Sequence, residues 1–361
     1  MLDSLIICAT IFFAGSASLA MPSTHEHPGM EEARWLHYPS KERTAPGKGR
    51  KVVFLAGDEE YRSEESMPML ARLFAHHGFE TFVLFSQDEE SGEIDPENVN
   101  NIPGMHLIDD ADLVIVNLRF RELPDEDMKH LVDHVRAGKP VSGLRTATHA
   151  FYYRENPDSP YASWSFNSND PKGGFGGHIL GETWVAHHGH HGSEATRGVV
   201  HPGQAGHPVL RGVKDVFGPT DVYTIRELPD DSTILLDGAI LDGMEPTDEP
   251  VTDERNDPMH PVAWIRERDL SNGGTQRIFC TTMGTSQDFS SRDLRRLVLQ
   301  AALWQFEEED AIPEQGIDAP LVGHWAPTRF GFGTHQRGLT PAMVRDGHPK
   351  ADEDARTESK E

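Results

Sequence analysis

Apolar positions fall into short, unbroken runs separated by helix-periodic stretches. Lys51-Val-Val-Phe-Leu-Ala56 closes at Gly57, Glu80-Thr-Phe-Val-Leu-Phe85 follows, and Leu113-Val-Ile-Val116 is flanked by Asp112 and Asn117. Runs without alternation predict strands buried on both faces. Between the first two, Leu70, Leu73, Phe74 and His77 recur at helical spacing, with Ser66-Met-Pro68 as a start signal and Gly78 as a stop. After the third, Met128, Leu131, Val132 and Val135 mark another helix, opened by Pro124 and closed by Gly138. Lys139-Pro-Val-Ser-Gly143 is a fourth, short strand running directly into Leu144-Arg-Thr-Ala-Thr-His149. Strands alternating with helices predict an α/β fold with a mainly parallel sheet covered on both faces.

The second half is more broken. Shorter β-like runs lie at Val222–Ile225, Thr233–Leu236, Pro261–Ile265 and Arg277–Thr281, and a last helix carries Leu294, Leu297, Val298, Ala301 and Trp304 on one side. The acidic, Pro-rich stretch Met244–Pro258 reads as a surface insertion, residues 21–49 as a linker, and the charged residues 345–361 as a disordered end. In parallel sheets ligands sit beyond the carboxyl ends of the strands, which selects Gly57–Glu65, Asn117–Glu122 and Arg145–His149.

Composition narrows the partners. With Lys+Arg 33 against Asp+Glu 59, the net charge of −26 over 361 residues opposes nucleic acid and anionic lipid. The apolar run Leu5–Phe13, followed by small residues around Ala17–Ala20, reads as a signal peptide over residues 1–20; the chain is expected to be exported, with no membrane segment beyond it. Asp3 is its only charged side chain, so the usual basic start is missing. Of the two cysteines, Cys8 falls inside that segment and Cys280 in a strand-like run, where a core role is expected.

Four segments together resemble the ThuA-like family, named for trehalose utilisation: Phe54-Leu-Ala-Gly-Asp58, Val141-Ser-Gly-Leu-Arg-Thr-Ala-Thr-His149, His207-Pro-Val-Leu-Arg-Gly212 leading to Asp221-Val-Tyr223, and Thr281-Thr-Met-Gly284. The resemblance runs from residue 50 to 308 and leaves 309–361 as a C-terminal extension. It implies a flavodoxin-like, doubly wound sheet similar to class I glutamine amidotransferases, with insertions. In those enzymes the turn after the fourth strand carries a nucleophilic Cys; here Gly143-Leu-Arg-Thr-Ala147 places Arg145 there. Guanidinium is always protonated and cannot attack a carbonyl, so amidotransferase chemistry is not expected. Gly284 is followed by Thr285 where relatives often carry His, so no role is carried over for that position.

Arg145 has two readings: a fork of donors for an oxygen-rich ligand, or a pair to a carboxylate of a neighbouring loop. His187-His-Gly-His-His-Gly192 is the least ordinary stretch, and six of the twenty histidines lie between 187 and 207. In extended geometry His188 and His190 share one face, and His187 and His191 the other. His149, His188 and His190 are the candidate proton carriers beside Arg145. No cofactor is predicted; a divalent metal such as zinc, if one binds, is assigned to His188, His190 and Glu182. Candidate substrate contacts are Asp58, Tyr61, Arg62, Arg119, Glu182, His187, His191 and Tyr223, with Arg121 near the same rim and ion pairing to Asp125 or Glu126 as the alternative for both arginines. The aromatic stretch Phe151-Tyr-Tyr153, Tyr161, Trp164 and Phe166 serves either as core or as a sugar-facing wall. The partner expected is a small carbohydrate. The chain is read as acting on a sugar or keto-sugar by His-assisted proton transfer (isomerisation, elimination or hydrolysis), the alternative being a non-catalytic carbohydrate-binding or scaffold domain.

Overall fold

The computed structural model describes residues 34–40 and 45–349; the expected signal segment and residues 350–361 lie outside them. Among the described residues, ten strands form one mixed sheet. β2 (Lys51–Gly57), β3 (Glu80–Phe85), β4 (Leu113–Leu118), β5 (Val141–Leu144) and β10 (Thr275–Thr281) run parallel in the order β3-β2-β4-β5-β10. Their side chains alternate between two cores. Val52, Phe54 and Ala56 face α1 (Ser63–His76) and α3 (Arg292–Gln305), while Val53 and Leu55 face α2 (Asp125–Arg136). Burial on both faces explains the unbroken apolar runs.

The sheet is parallel over only half its width, which corrects the expectation of a mainly parallel one. β9 (His260–Asp269) turns back on β10, and β8 (Ser232–Ile240), β6 (Thr196–Val200) and β7 (Val216–Gly218) extend the sheet antiparallel. At the far edge β1 (Trp35–Tyr38) pairs antiparallel with β3 inside the expected linker, burying Trp35 and Leu36. Four residues are too few for periodicity to register.

Other boundaries moved for local reasons. α1 begins at Ser63, three residues before the expected signal, behind Arg62 in a left-handed conformation. Val222–Ile225 forms no named strand; only Tyr223 makes an isolated bridge, to His187. The C-terminal extension is built into the body: Arg72 donates to the carbonyls of Val322 and Arg345, and Tyr38 also donates to Arg345. Cys280 is buried in β10, where desolvation raises its thiol well above the usual range.

His134 of α2 is nearly enclosed, and its Nε2 donates to the Pro140 carbonyl at 2.9 Å. Burial lowers this imidazole to about 4 from 6.5. Between those values the unfolded chain binds the extra proton and the folded chain does not, so stability rises with pH. Urea unfolding across that window should show this rise, and His134→Gln should flatten it; an unchanged slope contradicts the assignment.

Candidate functional site

The carboxyl ends of the parallel strands carry loops 58–62, 119–122, 145–149 and 282–288. β5 leaves the sheet at Arg145, whose φ of 44° is a left-handed conformation that a non-glycine residue adopts only where its surroundings impose it. Gly284 helps impose it. A Cβ there would lie 3.0 Å from Arg145 Cβ and 3.1 Å from its backbone nitrogen.

The turn sends Arg145 into the interior rather than the cleft. Its side chain is fully buried: Nη1 donates to the carbonyls of Asp221 (2.7 Å) and Thr282 (2.8 Å), and Nη2 to Asp221 Oδ1 (2.9 Å) and Tyr61 Oη (3.2 Å). The guanidinium lies against the rings of Tyr223 (3.8 Å to the centroid) and Tyr61 (4.5 Å). Of the two readings of Arg145, the geometry is that of a carboxylate partner. Desolvation raises both phenols, Tyr61 to about 12, so they stay protonated.

Asp221 is the hub. Its carboxylate is completely buried, yet it receives His187 Nδ1 on Oδ2 at 2.7 Å and His191 Nδ1 on Oδ1 at 3.0 Å, besides Arg145. Burial alone would raise this carboxyl; Arg145 and the two imidazoles outweigh it and hold it well below the usual range. The two rings stand 4.6 Å apart and each side chain is 34% exposed, so the pair opens outward. His191 Nε2 reaches Glu60 Oε1 at 3.1 Å, and hydrogen bonds to Asp221 and Glu60 raise its imidazole to about 9.

His149 is buried beside two rings that it shares with His187. Its ring is 5.5 Å from Trp184 and 6.2 Å from Tyr223, both of which also contact His187. Burial, then Arg119 and Arg145, push it well below 6.5, so it is neutral. Phe120 and Phe166 close its other side. The C-terminal extension supplies the last wall: Phe330 packs on Tyr61 and His191, and Phe332, 56% exposed, lies 5.0 Å from the Arg119 guanidinium.

Several expected residues go elsewhere. His188 Nε2 donates to the Arg255 carbonyl and its ring packs at a tilt against His260, while the His190 side chain is 71% exposed and pairs with Glu194. Glu182 accepts from Arg226 and from the Thr183 amide. The metal set His188, His190 and Glu182 is therefore not assembled. The chain between them is not extended; it curls around the Val222 carbonyl, which accepts from the amides of both His188 and Gly189. Asp58 is buried, accepting from the amides of Glu60 and Tyr61 and from the Thr146 hydroxyl, so it shapes the turn rather than the cleft. Arg62 is buried too, donating to Gly331 O and the Thr334 hydroxyl to hold the C-terminal extension. Arg119 and Arg121 both pair with Glu59, not with Asp125 or Glu126. Phe151 and Tyr153 are core, whereas Phe166 lines the cleft. A cavity of about 540 Å³ lined by Arg136, Trp164, His178 and Arg268 opens near the amino end of β10, away from this centre.

Asp221 and Glu60 were not singled out from the sequence. Asp221 stands two residues before Tyr223 and Glu60 in an acidic loop, and neither spacing announces the partner it finds.

A mixed α/β sheet with a strained turn at the carboxyl edge of its parallel half, carrying a buried arginine, defines the class of the scaffold. The sequence profile described as ThuA, trehalose utilisation, matches residues 51–305, and the chain belongs to that family. Among solved structures it is similar to a ThuA-like protein of Parabacteroides merdae (15% identity, 79% of this chain and 98% of that one, TM-score 0.46). Another similar structure is a ThuA-like protein of Bacteroides uniformis (15% identity, 74% and 94%, TM-score 0.44). No curated protein sequence matches the chain. No helix among the described residues is long and apolar enough to cross a membrane.

Removing Arg145 strands a buried carboxylate, which costs about 3–5 kcal/mol. Arg145→Met should lose that much in urea unfolding, and Arg145→Met with Asp221→Asn should recover part of it; strictly additive losses would show that the two are not coupled. Gly284→Ala should cost about 1–3 kcal/mol through crowding of the turn.

Proposed function

We propose that this protein acts on a sugar carrying a carbonyl group, by proton transfer beside that carbonyl. The observation that carries the reading is the convergence of ionisable groups from separate loops — Glu60, His149, His187, His191 and Asp221, with Arg145 beneath — around one partly exposed imidazole pair. A purely binding surface has no need of a buried carboxylate holding two imidazoles outward.

The roles follow from placement. His187, fixed by Asp221 through Nδ1, turns its Nε2 to the oxygen of the carbonyl and donates to the charge that develops as the neighbouring carbon loses its proton, while His191, held at both ring nitrogens by Asp221 and Glu60, adds positive charge beside it. His149, neutral and buried beside Trp184 and Tyr223, takes that proton. Trp184, Phe120, Phe166 and Phe332 offer aromatic faces to the C–H faces of a sugar ring. Arg145 positions Asp221 and does not touch substrate. Family membership, described by trehalose utilisation, supports a carbohydrate of disaccharide origin.

The parallel order β3-β2-β4-β5-β10 corresponds to the 2-1-3-4-5 order of flavodoxin-like sheets, and this supports a doubly wound core to which the antiparallel strands are an addition. Export through residues 1–20 is part of the same reading, and amino-terminal sequencing of the mature secreted protein tests it.

Purified protein offered ring-oxidised and unoxidised disaccharides should consume only the oxidised ones. His149→Gln should lower kcat about 10²- to 10⁴-fold with an unchanged melting curve. Full activity in that variant removes His149 from the mechanism, and tight binding of every sugar without turnover favours the non-catalytic carbohydrate-binding reading.

A further inference from the structure

We propose that His187, His191 and Asp221 form a binding site for a first-row divalent metal ion of the zinc class. The inference rests on the centre described above but not on the identity of the sugar. One ligand atom from each residue lies within 4.8 Å of the others, so a single ion can reach all three. Two imidazole nitrogens and one carboxylate oxygen are the donors that such ions take. A tetrahedral zinc shell with bonds of about 2.0–2.1 Å spaces its ligands about 3.3 Å apart. His187 Nδ1 lies 2.7 Å from Asp221 Oδ2 and His191 Nδ1 3.0 Å from Oδ1, so the carboxylate presents one oxygen to each ring, and an ion between the rings takes either oxygen once these contacts open.

The surroundings are built in the way a metal shell requires. A ligating histidine ordinarily donates its second ring nitrogen to a carboxylate, which fixes its orientation. His191 does this: Nδ1 faces the centre, and Nε2 faces Glu60 Oε1 at 3.1 Å. A ligating carboxylate is in turn hydrogen-bonded, and Asp221 is held by Arg145 from below. The protein offers three donors from the inner side, while the two imidazoles are 34% exposed on the outer side. Three protein ligands with an open position is the arrangement of a site that also receives a substrate oxygen or a water, in contrast to a closed four-ligand structural site. In the proposed reaction the ion would occupy the oxygen-polarising place of the imidazole pair and leave His149 as the proton acceptor.

The neighbouring His188 and His190 provide the control. A histidine-rich stretch that bound metal merely by its composition would use all four rings, but His188 and His190 are turned to other partners. Untagged protein stripped with a chelator and then titrated with Zn²⁺ by calorimetry should bind one ion per chain. The Co²⁺ form should show a visible d–d band. His187→Ala and His191→Ala should each weaken Zn²⁺ at least about 100-fold. Glu60→Gln should keep the stoichiometry and weaken affinity about 10- to 100-fold. His188→Ala/His190→Ala should bind as the unaltered chain does, with circular dichroism confirming the fold of each variant. Absence of stoichiometric binding, or loss of it in His188→Ala/His190→Ala as large as in the ligand variants, overturns the proposal. One bound ion in a protein that consumes no oxidised sugar upholds the metal site and sinks the sugar reading, whereas turnover by protein that binds no ion does the reverse.

Discussion

The ion pair between Arg145 and Asp221 is the constraint around which the cleft is organised. Both side chains are completely buried, and taking two charges out of water costs several kcal/mol per ion. That cost is offset because both terminal nitrogens of the guanidinium and both carboxylate oxygens find partners, Arg145 Nε alone of the pair's polar atoms having none among the described residues. The guanidinium meets two carbonyls, a phenol and a carboxylate oxygen and lies against the faces of Tyr61 and Tyr223. The carboxylate uses its remaining lone-pair directions for two imidazoles, and it is this leftover capacity that gathers His187 and His191 on the open side. With the arginine gone, the same carboxylate would be an unpaired buried charge and the histidines would lose their anchor.

The strained turn and the glycine facing it have the same origin. A left-handed Arg145 is costly unless the surroundings over-determine it, and they do so through the Gly284 contact and the Thr146 hydroxyl, which reaches both Asp58 and Asn117. Asn117 donates to the Gly284 carbonyl and ties the third of these turns to the others. The carboxyl ends of β2, β4, β5 and β10 are thus joined by hydrogen bonds beneath the imidazoles.

The antiparallel half of the sheet and the C-terminal extension complete what the parallel half begins. Trp264 of β9 is fully buried and donates to the Leu180 carbonyl, fixing the chain just before it enters the Trp184–His191 segment. The Gly331 amide donates to the Glu60 carbonyl, and Arg62 grips Gly331 and Thr334. Phe330 is thereby delivered against His191 from residues beyond the stretch that the family profile covers.

Much of this architecture was legible along the chain. The runs at 51–56, 80–85 and 113–116 became β2, β3 and β4, and α2 lies between Pro124 and Gly138, because burial on both faces and helical periodicity are local properties of adjacent residues. The histidine-rich stretch and the arginine at the turn drew attention for their residue types alone. What could not be read was which histidines matter and which way the arginine points. His187 and His191 reach Asp221, thirty or more residues away, only because the segment curls around the Val222 carbonyl, while His188 and His190, identical in kind, fall to Arg255 and Glu194. A buried charge chooses its partner by proximity in space and by the shape of its enclosure, and neither is encoded in the spacing of residues along the chain. Local periodicity determined the elements; packing and the desolvation of one carboxylate decided the site.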